Sequence, residues 1–208
     1  MRELYAVFVA GGSGTRMGLQ TPKQFLELDG RTVLEHTILR FVQTFPDLHV
    51  VVALPSTHME WWKTICREHN FDITQTLVEG GLTRFHSVRS ALAKVPDGVT
   101  VMIHDGVRPL VSPALLRTLA ACVQGSAVPA VPVVDTLKRL DDNLCQTSGQ
   151  DPSRTGLYGA QTPQVFHSEL IKKAYSLPFC TDFTDDASVA RAAGIEVHYV
   201  PGERYNLK

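Results

Sequence analysis

Short apolar runs alternate with amphipathic segments along nearly the whole chain, and that alternation leaves few folds open. Residues 4–10 (Leu-Tyr-Ala-Val-Phe-Val-Ala) read as a buried strand. Residues 33–44 carry a mostly apolar helical stripe with Glu35 and Arg40 turned outward. Further strands are expected at 48–54, 73–78, 99–103, 127–134 and 196–200, and further helices at 57–69, 83–95, 113–123, 165–174 and 185–193. Pro129 and Pro132 each lack an N–H, which predicts an edge or bulged position for the strand at 127–134. Repeated strand-then-helix units predict an α/β sandwich with a mostly parallel sheet. In such sheets, ligand sites gather beyond the carboxyl ends of the strands.

The chain has 208 residues, enough for one domain spanning 1–208 with a full core. The stretch at about 135–156 interrupts the rhythm. It holds Asp141-Asp142-Asn143 and Gly149-Gln150-Asp151-Pro152 and has little apolar surface of its own. Two readings stay open: a surface loop, or a protruding arm that packs on a second subunit.

Net charge is −1, so no global field recruits nucleic acid or an anionic membrane. No apolar stretch approaches the roughly 20 residues of a membrane helix. The first residues read as a strand rather than a secretion leader. Four cysteines (Cys66, Cys122, Cys145, Cys180) show no C-x-x-C spacing and are expected as free thiols in a reducing cytoplasm. Eight histidines include no H-E-x-x-H, which argues against a zinc centre.

The first strand runs into Gly11-Gly12-Ser13-Gly14-Thr15-Arg16-Met17-Gly18, followed by Pro22-Lys23-Gln24. A loop this small lets backbone N–H groups close around a polyphosphate. It lacks the Gly-Lys-Ser/Thr ending of a P-loop, and Met17 stands where a dinucleotide fingerprint has its third glycine. Arg16 offers planar bidentate contacts to phosphate and Lys23 a compact point charge. Asp105, at the end of the strand 99–103, suits holding Mg²⁺ on a nucleotide; the plainer alternative is a cap or an ion pair with Arg108. Gly80-Gly81 allows close approach to a flat base, with Ser87 on the following helix, or is simply a turn. Thr136 and Thr162 carry hydroxyls, and Lys138, Arg139 and Arg154 carry charge, on either side of the polar stretch. Thr184-Asp185-Asp186 reads most simply as a helix start. His86 and His104 are expected to pack or hydrogen-bond.

Taken in order, G-G-S-G-T-R-M, P-K-Q-F, L-E-H-T, G-G-x-T-R-x-x-S-V, H-D-G-V-R-P, D-T-x-K-R, Q-T-P-Q-V-F, T-D-D-A-S and the closing N-L-K resemble the IspD family. These are the 2-C-methyl-D-erythritol 4-phosphate cytidylyltransferases of the non-mevalonate isoprenoid pathway. The resemblance implies a Rossmann-like nucleotidyltransferase fold, a homodimer with interlocked arms, and Mg²⁺-CTP plus a sugar-alcohol phosphate as substrates. It implies that Arg16 and Lys23 stabilise the transferring phosphate, with Lys208 a third catalytic residue on the acceptor side. Ala10, Gly11, Gly12, Gly14, Gly81, Ser87 and Gly106 would face the nucleotide, and Asp105 the metal. Arg108, Thr136, Arg154, Thr162 and Thr184 would form the acceptor side, with Arg154 reaching across the dimer. Three features depart from the family pattern. Gly106-Val107 replaces the commoner Ala-Ala, Leu82 stands where a polar residue is common, and the sequence stops at Lys208 where relatives continue into a final helix.

The implied reaction needs no general base, because a phosphate monoester with a second pKa of about 6 is already an anion at neutral pH. No His–carboxylate or Ser–His constellation is evident. Ribitol 5-phosphate is the alternative acceptor. An NAD(P)-dependent oxidoreductase, using Gly12-x-Gly14 with Glu35 as the ribose-binding acid, is a rival from another class. A non-catalytic nucleotide sensor is a third reading, disfavoured by the presence of Arg16, Lys23 and Asp105 together.

Overall fold

The structure is a computed structural model that describes residues 2–12, 21–121, 124–147 and 149–208. Strand β1 (Leu4–Val9) leads to a 3-10 turn at Lys23–Phe25 and a small hairpin, β2 (Glu27–Leu28) and β3 (Arg31–Thr32). There follow α1 (Val33–Thr44), β4 (His49–Leu54), α2 (Ser56–Glu68), β5 (Gln75–Glu79), α3 (Arg84–Leu92), β6 (Thr100–Asp105) and α4 (Pro113–Ala120). The chain continues through β7 (Ser126–Pro132), β8 (Tyr158–Ala160), β9 (Gln164–His167), α5 (Ser168–Ala174), α6 (Asp186–Ala192) and β10 (Tyr199–Pro201). The main sheet runs β10-β7-β9-β6-β1-β4-β5, with β8 also paired to β7. The strands β6, β1, β4 and β5 are mutually parallel, and β9 lies antiparallel between β6 and β7. This is the mostly parallel α/β sheet that the alternation predicts.

Strand residues feed two cores by simple alternation. Ala6 and Phe8 of β1, Val50, Val52 and Leu54 of β4, and Met102 of β6 pack with Leu34, Ile38 and Phe41 of α1, Trp62 of α2 and Leu116 of α4. Val7, Val51, Ala53, Val101 and Ile103 face the other way, against Phe85 and Val88 of α3, Ile171 of α5 and Val189 of α6. The central strands are therefore buried on both sides, which is why they read as unbroken apolar runs.

Four expectations are corrected. The helix expected at 165–174 begins only at Ser168: Val165 and Phe166 lie in β9 and point into opposite cores, as a strand requires. The strand carrying Pro129 and Pro132 is interior, not at an edge, because β7 changes partner along its length. It pairs with β9 at Ser126 and Ala127 and with β8 from Ala130 to Pro132. Pro129 falls at the changeover, where its carbonyl accepts from the Gln161 N–H at 2.8 Å. Glu35 is fully buried rather than outward. It closes a capping box with Thr32 at the start of α1 and contacts His69 Nδ1 at 2.8 Å, so it is no ribose-binding acid and the oxidoreductase reading loses its support. The last strand occupies Tyr199–Pro201 rather than 196–200.

The described residues of 133–147 and 149–157 form a mostly exposed excursion from the sheet, with a bridge between Leu140 and Gln146. Among the described residues, no helix is long and apolar enough to cross a membrane.

Candidate active site

A cleft of about 560 Å³ opens at the carboxyl ends of β1, β5 and β6. Its back wall is the end of β1. The Ala10 N–H extends the parallel ladder to the Ala53 carbonyl at 3.0 Å, and Gly11 and Gly12 then run along the opening. The Lys23–Phe25 turn is pinned beside them at two points. The buried Gln24 donates its amide to the Ala10 carbonyl at 2.8 Å. Phe25 is inserted against Trp61 and Trp62, with ring centroids 5.0 and 6.1 Å away. Lys23 is thereby held on the lining of the cleft. Gly14 and Arg16 lie outside the described residues.

The opposite lip is the segment from Gly80 to Ser87. Gly80 N–H donates to the Leu54 carbonyl at 2.7 Å, which turns the chain off the sheet. Thr83 caps α3 by accepting from the His86 N–H. Gly81 is demanded by sterics: a Cβ there would stand 2.3 Å from the Cβ of His86. The Ser87 hydroxyl accepts from Gly81 N–H at 3.1 Å and donates to the Thr83 carbonyl at 3.1 Å, so it fixes the loop and keeps one lone pair for a ligand. Leu82 is almost fully exposed at the mouth.

Asp105, the last residue of β6, forms the floor. Three cations surround its carboxylate: Arg84 Nε at 3.4 Å on one oxygen, and Arg108 Nε at 3.2 Å and Lys208 Nζ at 3.0 Å on the other. Burial opposes ionisation, but Arg84 and then Lys208 outweigh it and hold the carboxyl well below the usual carboxylate range. The turn after Asp105 is set from beneath. Thr162 is buried, its hydroxyl accepting from the Asp105 N–H at 3.1 Å and lying 2.9 Å from His104 Nδ1. His104 Nε2 lies 3.1 Å from the Arg108 carbonyl. Burial drives this imidazole down to about 4, so it is neutral. The network then assigns the proton to Nε2, which donates to Arg108, while Nδ1 accepts from Thr162.

Gly106 serves packing. Its N–H donates to the Val9 carbonyl at 2.9 Å, and a Cβ there would come within 2.9 Å of Leu34 Cδ1. The cleft is lined by its neighbour Val107 instead. Lys208 is brought in by the C-terminal segment. Fully buried Asn206 donates to the Thr162 carbonyl at 2.8 Å, and its own carbonyl accepts from Arg108 at 2.7 Å. Glu203 clamps the start of α4 through Ser112.

Within one chain, the cleft brings together Ala10, Gly11, Gly12, Lys23, Gly81, Ser87, Asp105 and Lys208. It does not include Thr136, Arg154 or Thr184, all of which are exposed. Arg154 hydrogen-bonds the Val134 carbonyl at the base of the excursion. Sequence reasoning missed Gln24, Arg84 and Asn206 as site-builders. Gln24, Arg84 and Asn206 each lie inside a quoted motif, but nothing in a motif shows which member points inward.

Comparison with known proteins agrees with this geometry. A family model described as IspD, 2-C-methyl-D-erythritol 4-phosphate cytidylyltransferase, matches residues 4–208. The protein of that name from Bacteroides fragilis is 42% identical over 205 residues, 98% of this chain and 92% of the relative. Its counterpart from Bacteroides thetaiotaomicron is 43% identical over 204 residues, 97% of this chain and 91% of the relative. Among solved structures, the bifunctional IspDF of Campylobacter jejuni superposes with a TM-score of 0.82 at 28% identity, covering 99% of this chain and 51% of that one. The 2-C-methyl-D-erythritol 4-phosphate cytidylyltransferase of Thermus thermophilus gives 0.73 at 30% identity, covering 99% and 92%. A family match over nearly every residue, on a fold that gathers the matched motifs into one cleft, shows that the chain belongs to the 2-C-methyl-D-erythritol 4-phosphate cytidylyltransferase (IspD) family.

Proposed function

We propose that this chain transfers a cytidylyl group from CTP to 2-C-methyl-D-erythritol 4-phosphate and releases pyrophosphate. One observation carries the reading: Lys23 and Lys208 line a cleft in which the one acidic side chain among the described lining residues, Asp105, is already neutralised by cations. An ionised acid held in this way is a poor proton acceptor, so the cleft suits a reaction that needs none. A phosphate oxygen of the acceptor attacks the α-phosphorus of CTP. A new P–O bond forms, the bond to the β-phosphate breaks, and pyrophosphate leaves with its electron pair. The obstacle is repulsion between two anions. Lys23, Lys208 and the loop amides offset it by positioned charge, and Arg16 is assigned to the same group by its motif.

The nucleotide fits base-inward. The Gly81 segment and Ser87 offer backbone and hydroxyl groups to a pyrimidine edge, and Gly11 and Gly12 lie beside the phosphates. Arg84 and Arg108 already pair with the two Asp105 oxygens, so Asp105 would hold Mg²⁺ only by giving up the Lys208 ammonium, which lies 3.0 Å from it on the cleft side. Among the described residues no cluster of three metal-binding side chains exists, so a divalent ion would draw its other ligands from phosphate and water. Bound there, the metal would neutralise developing charge on the phosphates. Thr136, Arg154 and Thr184 lie outside the cleft of their own chain. We assign the first two to a partner's site in a homodimer, with the exposed excursion at 133–157 as the arm. The cytoplasmic placement rests on the scattered spacing of the four cysteines in the sequence, with no C-x-x-C pair.

The test is pyrophosphate release from each of the four nucleoside triphosphates with methylerythritol phosphate or ribitol 5-phosphate. Turnover confined to CTP with methylerythritol phosphate is expected. Preference for ribitol 5-phosphate, or no turnover with either, overturns the assignment.

A further inference from the structure

Arg84 lies on the cleft wall, yet its guanidinium is spent almost wholly on protein groups. Its two terminal nitrogens grip the Asp186 carboxylate at 2.8 and 2.7 Å, while Nε reaches Asp105 at 3.4 Å. Asp186 is fully buried at the first turn of α6 and also accepts from the Tyr175 hydroxyl at 2.6 Å. Burial and then Asp186 keep that phenol protonated, so it remains a donor. Beside it, Gln164 joins β9 to the same helix start. Its amide donates to Asp185 at 2.8 Å, and its carbonyl oxygen accepts from the Ala187 N–H at 2.8 Å. A bidentate pair of this kind has one geometry, which a point charge cannot reproduce.

We infer that Arg84 is a positioning residue that fixes the nucleotide lip, the Asp105 floor and the start of α6 in one frame. It sits at the first residue of α3, directly after the Gly80–Thr83 lip. Asp105 ends β6, and Asp186 stands two residues after Thr184, which the family resemblance alone puts with the acceptor. Three segments that share no covalent neighbour therefore meet on one planar group. Arg84 does not touch the reacting atoms in this role; it sets the relative placement of the two substrates. The inference rests on the cytidylyl-transfer reading for its kinetic consequence, but the mechanical link can be measured without substrates.

The test uses Arg84→Lys, Asp186→Asn and the double variant, each checked for cooperative unfolding. In the substrate-free protein, Asp186→Asn should raise amide exchange across 105–108, although the side-chain hydrogen bonds of Asp186 go to Arg84 and Tyr175 rather than to that segment. Arg84→Lys should raise it across both 105–108 and 184–187. In turnover, each single variant should lower kcat by about 10- to 100-fold, the scale of an ångström-sized misplacement. The double variant should be no worse than the weaker single, because the pair acts as one unit. Unchanged exchange at 105–108 in Asp186→Asn overturns the inference, as do additive losses. A parent protein inactive with CTP and methylerythritol phosphate would refute the functional reading instead, and the exchange data would still decide the role of Arg84.

Discussion

Each charged residue in the cleft has a defined task because its neighbours leave it little freedom. Lys23 is fixed through the residues on its C-terminal side, Gln24 and Phe25, which are buried while it is not. Lys23→Ala removes a positioned cation without touching either anchor. Its kcat should fall by about 100- to 1,000-fold, the usual cost of one lost donor at a charge-developing centre. The thermal midpoint should stay within a few degrees. Near-normal turnover in this variant would remove Lys23 from the mechanism. The motif order in the sequence made Lys23 and Asp105 legible, because a cation and an acid beyond strand ends suggest phosphate chemistry. Arg84 was not legible as a frame-setting group. Its partner Asp186 is 102 positions away, and a Thr-Asp-Asp helix start looks complete as a cap without any ligand for the second acid.

At the scale of elements, the C-terminal segment matters most. Asn206 docks the tail under Thr162 and Arg108 and so determines where Lys208 lies. Asn206→Ala should lower kcat by about 10- to 100-fold through displaced Lys208. Combining it with Lys208→Ala should add nothing further, and independent losses would show that the tail does not act through Lys208. A second element-level contact ties the N-terminus to α5. Arg2 pairs with Glu169 at 2.6 Å, and Glu169 also accepts from Gly98 N–H. Burial would raise this carboxyl, but its backbone bonds and Arg2 win and hold it at about 2, below the ordinary 4.5. Its stabilisation is therefore complete above pH 4.5 and is lost as pH falls toward 2. Glu169→Gln should flatten that limb in urea midpoints measured from pH 5 down to 3, and an unchanged limb would refute the link. The elements themselves were legible wherever apolar runs were long. They failed at Val165-Phe166, a run of two that also suits a helix, and at Pro129, where a change of partner strand absorbs the missing donor. Glu35 was misplaced because its periodicity matches an outward face, while the capping box and His69 draw it in.

At the scale of the whole molecule, a single chain displays a cleft and an exposed excursion that does not complete it. Leu140, Leu144 and Tyr158 are exposed on or beside that excursion, surface that a second copy would cover. If Arg154 acts in the partner's site, Lys23→Ala and Arg154→Ala chains damage different halves of each active site. Mixing and refolding the two inactive proteins should then restore about a quarter of parental activity, because half the dimers carry one intact site. No recovery would confine Arg154 to its own chain. The central claim is that placed positive charge, with no proton-accepting side chain, carries the transfer. Its most direct test is the pH dependence of single-turnover cytidylyl transfer at saturating CTP and methylerythritol phosphate. The rate should rise only through the acceptor phosphate's own ionisation near about pH 6 and then stay level to about pH 9. A rate that keeps climbing tenfold per pH unit above neutrality would contradict the claim and require a base on the protein.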